Sequence, residues 1–232
     1  MEKVVAIIGA RGGSKGIPNK NLIDFCGKPL LAWSIEHAKS AKGVNSVWVT
    51  SDSQTILSVA TAHGARGILR PDEISGDTAS SESAWVHALD EIEKLEGPAS
   101  LVVALQATSP LRESKDIERG LRDFQEQGAD SLFSCGALED FFIWEKKGSS
   151  YESANYDYLN RKRRQDIQEQ YVENGSFYIF KPSILREKNN RLGGKIGISK
   201  MEFWKTFEVD SLASLEMCAV LARHYLIRKE GI

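Results

Sequence analysis

The sequence predicts an α/β protein with a doubly wound, mostly parallel sheet that carries one small insertion. Two short apolar runs, at residues 4–8 and 101–105, have the composition of parallel strands buried on both faces. Strand-like and helix-like segments alternate along the chain without an internal repeat, which is the order expected when helices cover both faces of a parallel sheet. The 232 residues, of which 41% are hydrophobic, suffice for one such domain with a sizeable core.

The individual elements follow from apolar runs and from residues that start and stop helices. Pro29 is favoured in the first turn of a helix, Gly64 and Gly128 are typical of the position after a helix, and residues 75–81 are polar enough to cap one. We expect strands at about 4–8, 44–51, 68–69, 101–105, 131–135, 176–180 and 205–209. We expect helices at about 29–38, 53–63, 81–95, 114–127 and 212–228.

The alternation breaks at residues 136–172, where aromatic residues alternate with charged ones. Such a segment cannot bury its aromatic side chains by itself, so we interpret it as an insertion that packs on a partner. It contains a basic run at 161–164. Because the whole chain has a net charge of -2, we do not expect this run to bind nucleic acid.

The segment after the first strand is rich in glycine and in cations. The glycines allow backbone N–H groups to approach a ligand closely. They are Gly9, Gly12, Gly13 and Gly16, and the cations are Arg11, Lys15 and Lys20. Neither the P-loop pattern nor the dinucleotide fingerprint fits this spacing. A basic surface turn is the alternative, but the preceding strand and the glycines favour a polyphosphate site.

Polar residues also follow other predicted strands, at the point where each strand ends. They lie at 51–52, 70–81 and 106–112. Ligands of doubly wound sheets bind outside the carboxyl ends of the strands. We therefore expect these segments and the glycine loop to form one shared site.

The chain shows no signal for export or membrane insertion. It begins with a strand rather than a signal peptide, and no apolar run approaches the ~18 residues of a membrane span. Three widely spaced cysteines, Cys26, Cys135 and Cys218, do not match a metal site and suggest reduced thiols. We expect a cytoplasmic protein that does not bind membranes.

Residues 10–21 read Ala-Arg-Gly-Gly-Ser-Lys-Gly-Ile-Pro-Asn-Lys-Asn. This stretch resembles the glycine loop of the acylneuraminate cytidylyltransferases, which make CMP-sialic acid. Further segments are similar to the same family, in the family's order, so that the resemblance covers about residues 4–210. These segments are 70–81, 106–112, 163–166 with 173–178, and 207–210. Glu208 departs from the family's usual Asp; it keeps the carboxylate but reaches one methylene further.

The resemblance implies a Rossmann-like nucleotidyltransferase fold and transfer of CMP from CTP to a nonulosonic acid, with release of pyrophosphate. The acceptor would be the anomeric hydroxyl of this nine-carbon α-keto sugar acid. The resemblance also implies Mg²⁺, or Mn²⁺ in its place, held by Asp210 and Glu208. It further implies a homodimer in which residues 136–172 form the contact and Arg164 reaches the partner's site.

The resemblance and the side-chain chemistry together assign three groups of site residues. The catalytic residues are Lys20, Asp210 and Arg11, with Asp210 as metal ligand and proton acceptor; a helix N-cap is the alternative role for Asp210. Arg164 is chosen for the sugar carboxylate because its planar fork suits that group. The expected nucleotide contacts are Ala10, Arg11, Gly12, Gly13, Ser14, Lys15, Asn21, Arg70, Ser80 and Ser81. The expected sugar contacts are Gln106, Arg164, Gln165 and Asn174.

Two other functions stay open. The first is a cytidylyltransferase for an eight-carbon octulosonic acid, which would share the Arg-containing glycine loop; the segment at 163–178 argues against it. The second is a nucleotide-binding protein without catalytic activity. The presence of Lys20, Arg164 and Asp210 argues against that interpretation.

Overall fold

The computed structural model describes residues 2–13, 16–76, 78–138, 141–163, 166 and 168–227. Within these residues the strands, in chain order, are β1 (Val4–Gly9), β2 (Asp24–Phe25), β3 (Lys28–Pro29), β4 (Ser46–Ser51), β5 (Arg66–Leu69), β6 (Leu101–Gln106), β7 (Ser131–Ala137), β8 (Trp144–Lys147), β9 (Ser150–Ser153), β10 (Tyr171–Phe180) and β11 (Ile196–Met201). The α-helices are α1 (Leu30–Ser40), α2 (Gln54–Ala62), α3 (Ser81–Glu96), α4 (Ser114–Glu126), α5 (Pro182–Lys188) and α6 (Leu212–Ala222).

A central sheet of seven strands has the order β11-β7-β10-β6-β1-β4-β5. Adjacent strands of this sheet are parallel, except that β10 lies between β6 and β7 and is antiparallel to both. The predicted class, a mostly parallel sheet with helices, is confirmed. The expected strand at 176–180 is the second half of β10, which begins at Tyr171 and changes register between Glu173 and Tyr178.

Helices cover both faces of the sheet because alternate residues of its strands are apolar on both sides. On one face Ala6 and Ile8 of β1 join a cluster built with α1, α2 and α4. On the other face Val5 and Ile7 join a cluster built with α3 and α5. A third cluster, which we call the C-terminal core, ties the glycine loop to α6. Its buried members are Ile17, Phe25, Leu30, Trp33, Leu111, Val209, Cys218 and Ala222.

The predicted insertion at 136–172 contains a separate antiparallel hairpin formed by β8 and β9. Large side chains on and beside it are exposed, including Trp144, Tyr151 and Tyr158. The two ends of the predicted segment belong to the central sheet, since β7 continues to Ala137 and β10 begins at Tyr171. The dimer contact expected of this segment stays a prediction.

The predicted last strand at 205–209 is wrong. Phe203–Thr206 forms a short 3-10 helix, and the last strand of the sheet is β11, which pairs in parallel with β7. The apolar residues near 205 are used for packing around the C-terminal core. β11 was missed because the residues that it buries, Gly197, Ser199 and Met201, are small or unbranched.

The three cysteines are free thiols. Within the part of the chain that the structure describes, no helix has the length and apolar character needed to cross a membrane.

Candidate active site

A cleft of about 510 Å³ opens at the carboxyl ends of β1 and β6. Four segments form its walls: the glycine loop, residues 70–85, the end of β6 with the turn after it, and residues 208–210. The glycine loop, residues 70–81 and the turn after β6 were expected to share one site, and all three contribute to the cleft. Residues 51–52 were expected there as well but do not line it, and residues 208–210 were assigned to the site by the family resemblance. The lining residues are Gly9, Ala10, Arg11, Gly16, Lys20, Asn21, Arg70, Ile74, Ser75, Gly76, Ala79, Ser80, Ser81, Ala84, Trp85, Leu105, Gln106, Ala107, Thr108, Glu208 and Asp210.

The glycine loop is held in place by hydrogen bonds from its two sides. The backbone N–H of Gly12 donates to Oδ1 of Asp52, at 2.8 Å. The side-chain amide of Asn21 donates to the carbonyl oxygen of Arg11, at 2.9 Å. A Cβ on Gly16 would lie only 2.7 Å from the carbonyl oxygen of Asp210, so glycine is required where the loop meets residues 208–210.

Lys20 and Asp210 form an ion pair across the cleft, with 2.9 Å between Nζ and Oδ1. They are 190 residues apart in sequence. The lysine side chain is 17% exposed and the aspartate side chain is 72% exposed. Asp210 therefore offers its carboxylate to the cleft, while Lys20 is partly enclosed and directed at the same point.

Arg70 provides a buried cation on the cleft wall, beside the glycine loop. Its Nε donates to Oγ of Ser75 at 3.1 Å, and its guanidinium lies 3.8 Å from Oδ1 of Asp52. Burial lowers the pKa of Arg70, Asp52 opposes that effect, and Arg11 adds to it. Asp52 thus contacts both the glycine loop and Arg70, a link that its position after β4 suggested only in part.

Ser80 and Ser81 lie at the start of α3 and also line the cleft. Oγ of Ser80 caps the helix by accepting from the backbone N–H of Ser83, at 3.1 Å. The serine hydroxyls and the first N–H groups of the helix are therefore presented at the cleft wall.

Gln106, Thr108 and Glu208 form another part of the cleft wall. Oγ1 of Thr108 donates to Oε2 of Glu208 at 3.2 Å. Burial raises the pKa of the Glu208 carboxyl, and the charge of Asp210 raises it further, against the hydrogen bond from Thr108. Gly175, at φ 63°, lies against this group, and a Cβ there would overlap Oε1 of Glu208.

Two buried cations, Arg112 and Lys205, lie behind this part of the cleft wall. Arg112 is fully buried and donates to Oγ of Ser34 at 2.6 Å and Oγ of Ser176 at 3.1 Å. Burial lowers the pKa of Arg112 to about 10. Lys205 is also buried, and its Nζ lies 2.8 Å from carboxylate oxygens of both Glu113 and Asp116. Sequence reasoning missed both cations, because neither residue belongs to a pattern that identifies burial.

Ten of the residues predicted for the site line the cleft. They are Ala10, Arg11, Lys20, Asn21, Arg70, Ser80, Ser81, Gln106, Glu208 and Asp210. Gly12 and Gly13 belong to the loop but do not line the cleft. Ser14, Lys15, Arg164 and Gln165 lie outside the residues that the structure describes.

Asn174 lies in the core rather than on the cleft wall. It is 3% exposed, and its Oδ1 accepts from Oγ of Ser134 at 2.6 Å and from the N–H of Ser176 at 3.2 Å. Its amide is used to shape β10 next to Gly175. The geometry gives Asn174 a supporting position, and the sugar contact expected from the sequence stays a prediction.

The carboxylates of the cleft suit a magnesium ion that also binds phosphate. Among the described residues no group of three or more His, Cys, Asp or Glu side chains is close enough to hold a metal alone. Asp210 and Glu208, however, both reach the cleft. Mg²⁺ commonly binds through one or two carboxylates, with phosphate oxygens and waters as the other ligands, so this pair fits it.

The sheet order and the glycine loop at the carboxyl end of β1 define a doubly wound α/β protein with its cleft at the carboxyl ends of the strands. A sequence model described as cytidylyltransferase matches residues 5–225, and the chain belongs to that family. It is 38% identical to an N-acylneuraminate cytidylyltransferase of Oncorhynchus mykiss over 76% of this chain and 41% of that protein. It is 33% identical to a pseudaminic acid cytidylyltransferase of Campylobacter jejuni over 76% of this chain and 78% of that protein.

The chain spans less than half the length of the vertebrate N-acylneuraminate cytidylyltransferases that it matches. A solved structure with the same fold is that of a CMP:2-keto-3-deoxy-manno-octonic acid synthetase complexed with CTP. The TM-score is 0.73, with 20% identity over 97% of this chain and 100% of that one. At this identity the likeness shows the fold.

Proposed function

We propose that the protein transfers CMP from CTP to the anomeric hydroxyl of a nonulosonic acid and releases pyrophosphate. The observation that carries the proposal is that one cleft is lined by the glycine loop, by the ion pair of Lys20 and Asp210, and by Gln106 with Glu208. The similarity to proteins named for N-acylneuraminate and for pseudaminic acid supports a nonulosonic acid as acceptor.

The part of the cleft lined by the glycine loop and Lys20 would bind the triphosphate. Negative charge increases on the departing pyrophosphate, and the cations Arg11 and Lys20 stabilise it there. The ion pair with Asp210 fixes the Lys20 ammonium group at the cleft. Ser14 and Lys15 are proposed as further phosphate contacts on the basis of the sequence. We propose that cytosine and ribose contact three other lining residues, Arg70, Ser80 and Ser81.

Asp210 and Glu208 are proposed to hold Mg²⁺, with Mn²⁺ as a substitute. When bound, such an ion supplies charge neutralisation at phosphate oxygens and makes a coordinated hydroxyl more acidic. Asp210 is the more exposed carboxylate and accepts the proton of the attacking hydroxyl. Glu208 is positioned by Thr108 and lies beside Gly175, facing the acceptor.

The acceptor is proposed to bind between Gln106 and residues 163–166, with Arg164 on the sugar carboxylate and Gln165 on a hydroxyl. We also propose that the protein is a cytoplasmic homodimer. The exposed aromatic side chains of the β8–β9 hairpin support a contact there, since isolated chains seldom leave such groups open to water. Arg164 would then serve the partner's cleft.

A substrate panel tests the function. The purified protein is incubated with CTP, Mg²⁺ and one sugar acid, and pyrophosphate release is followed. The acids are N-acetylneuraminic acid, its deaminated analogue, pseudaminic acid, legionaminic acid and an eight-carbon octulosonic acid. We expect release with a nine-carbon acid. Fastest release with the octulosonic acid would favour the first alternative. Binding of CTP without release from any acid would favour a non-catalytic protein.

A further inference from the structure

Trp85 is a buried indole on the wall of the cleft, and no role was predicted for it. The residue is 2% exposed and lies in the second turn of α3. A Cβ placed on Gly9 would be 3.7 Å from Nε1 of Trp85, so the indole nitrogen lies next to the end of β1. Gly9 pairs with Gln106 of β6. The nitrogen therefore lies beside the carboxyl ends of β1 and β6, where the cleft opens.

The indole N–H of Trp85 has no acceptor among the residues that the structure describes, whereas two other buried tryptophans do. Nε1 of Trp33 donates to the carbonyl oxygen of Phe25 at 2.7 Å, and Nε1 of Trp48 donates to Oγ of Ser46 at 3.0 Å. The Trp85 N–H is not among the buried polar atoms that lack a partner, so it is open to the cleft that the residue lines. The N–H of a buried Trp ring usually has a hydrogen-bond partner. At the wall of a cleft, a ligand can supply that partner.

The ring of Trp85 is held in one orientation by its neighbours. The Arg191 guanidinium carbon is 4.7 Å from the centroids of both the Trp85 and Tyr178 rings. Nε of Arg191 donates to Oε1 of Glu82 at 2.7 Å, which fixes the cation. The Phe180 ring centroid is 6.0 Å from that of Trp85. The N–H is thus preorganised next to Gly9 and does not depend on a rotation of the side chain.

We propose that Nε1–H of Trp85 donates a hydrogen bond to a ribose hydroxyl oxygen of the bound cytidine nucleotide. The inference rests on the proposed function, which assigns Ser80 and Ser81 to the nucleoside and Gln106 to the acceptor. Trp85 lies one helical turn beyond Ser81 and next to Gly9, the strand partner of Gln106. The ribose joins the base to the phosphate that the acceptor attacks, so it occupies the space between those two ends.

The test measures the affinity of the full chain for CDP in Mg²⁺ by isothermal titration calorimetry. Trp85→Phe keeps an aromatic ring and removes the N–H. We expect its affinity for CDP to fall by about threefold to tenfold, the range for one neutral hydrogen bond. Trp48→Phe is the matched control. It removes a buried indole N–H from the same cluster, away from the cleft, and should leave the affinity for CDP unchanged.

Nucleotide analogues identify the hydroxyl. The parent protein should bind either 2′-deoxy-CDP or 3′-deoxy-CDP about threefold to tenfold more weakly than CDP. For Trp85→Phe, the same deoxy analogue and CDP should bind equally, because the contact is already lost. An unchanged affinity of Trp85→Phe for CDP, or an equal deoxy penalty in parent and variant, would overturn the ribose contact alone.

Two further outcomes separate the inference from the function on which it rests. If Trp85→Phe does not fold, the parent still decides: equal affinity for CDP and both deoxy analogues overturns the ribose contact. Failure of the parent to bind CDP overturns the proposed function as well.

Discussion

Gly175→Ala is the substitution whose effect can be worked out most directly from the structure. Gly175 has φ 63°, in the left-handed region, and its missing Cβ leaves room for Oε1 of Glu208. A residue with a Cβ in that conformation costs about 1–2 kcal/mol. The new methyl group also displaces the Glu208 carboxylate, which loses the hydrogen bond from Thr108, worth about 1 kcal/mol. We expect the free energy of unfolding to fall by about 2–3 kcal/mol in total.

Gly128→Ala separates backbone strain from the displacement of Glu208. Gly128 has φ 56°, and a Cβ there would meet nothing closer than Nζ of Lys195, at 3.8 Å. Urea unfolding should show a loss of about 1–2 kcal/mol for this control. Pyrophosphate release should stay near the parental rate for Gly128→Ala. For Gly175→Ala it should fall by about 100-fold, the effect expected when a group in the site moves by about 1 Å. Equal rates in the two variants would refute the assignment of Glu208 to the working site.

Four further outcomes are expected. Lys20→Ala should lower kcat by about 10²–10³-fold and leave the midpoint of urea unfolding almost unchanged. A rate within a few-fold of the parent would mean that Lys20 does not contact the phosphates. Asp210→Asn should be nearly inactive in a Mg²⁺ titration, with only partial recovery at high Mg²⁺ or Mn²⁺; normal rates at low Mg²⁺ would contradict the ligand assignment. Lys205→Met removes the buried cation that pairs with the buried Asp116 and the half-buried Glu113, which keep Arg119 and Lys115 as partners; urea unfolding should show a loss of about 1.5–3 kcal/mol, the range for hydrogen bonds to charged groups, and a loss under 1 kcal/mol would contradict the buried pairing. Co-refolding Lys20→Ala with Arg164→Ala should restore about a quarter of parental activity if each site uses both chains, as two-fold symmetry requires; no recovery in a mixture with verified heterodimers would mean that Arg164 does not cross the interface.

The first half of the fold could be predicted because its signals are local. The apolar run of β1 is followed at once by glycines, and the same order of strand and polar turn recurs at Ser51 and Gln106. Since parallel strands bring their carboxyl ends together, the polar segments that follow these strands in the sequence were enough to predict where the cleft lies. The family resemblance assigned Lys20 and Asp210 to one site, although 190 residues separate them, but it did not predict their ion pair.

What the sequence could not predict depends on long-range burial. The apolar pattern near Lys205 looks like a strand, yet the lysine is buried by pairing with Glu113 and Asp116 of another segment, and the chain turns there instead. Asn174 is polar and belongs to a recognised motif, but its amide is satisfied inside the core. Trp85 gives the opposite case: a helical apolar pattern predicts only core, and the open N–H becomes visible once Gly9 is placed beside it.

The C-terminal core has a consequence for how the site is lost and regained. It joins Ile17 of the glycine loop to Val209 and Cys218, apart from the two clusters that cover the sheet. Opening of this small unit would separate Lys20 from Asp210 while the sheet remains folded. In a nascent chain the Lys20–Asp210 pair can form only after residue 210 has been synthesised, 190 residues after Lys20. A nucleotide bound by the glycine loop and by residues 208–210 would therefore slow amide hydrogen exchange in both of these segments together.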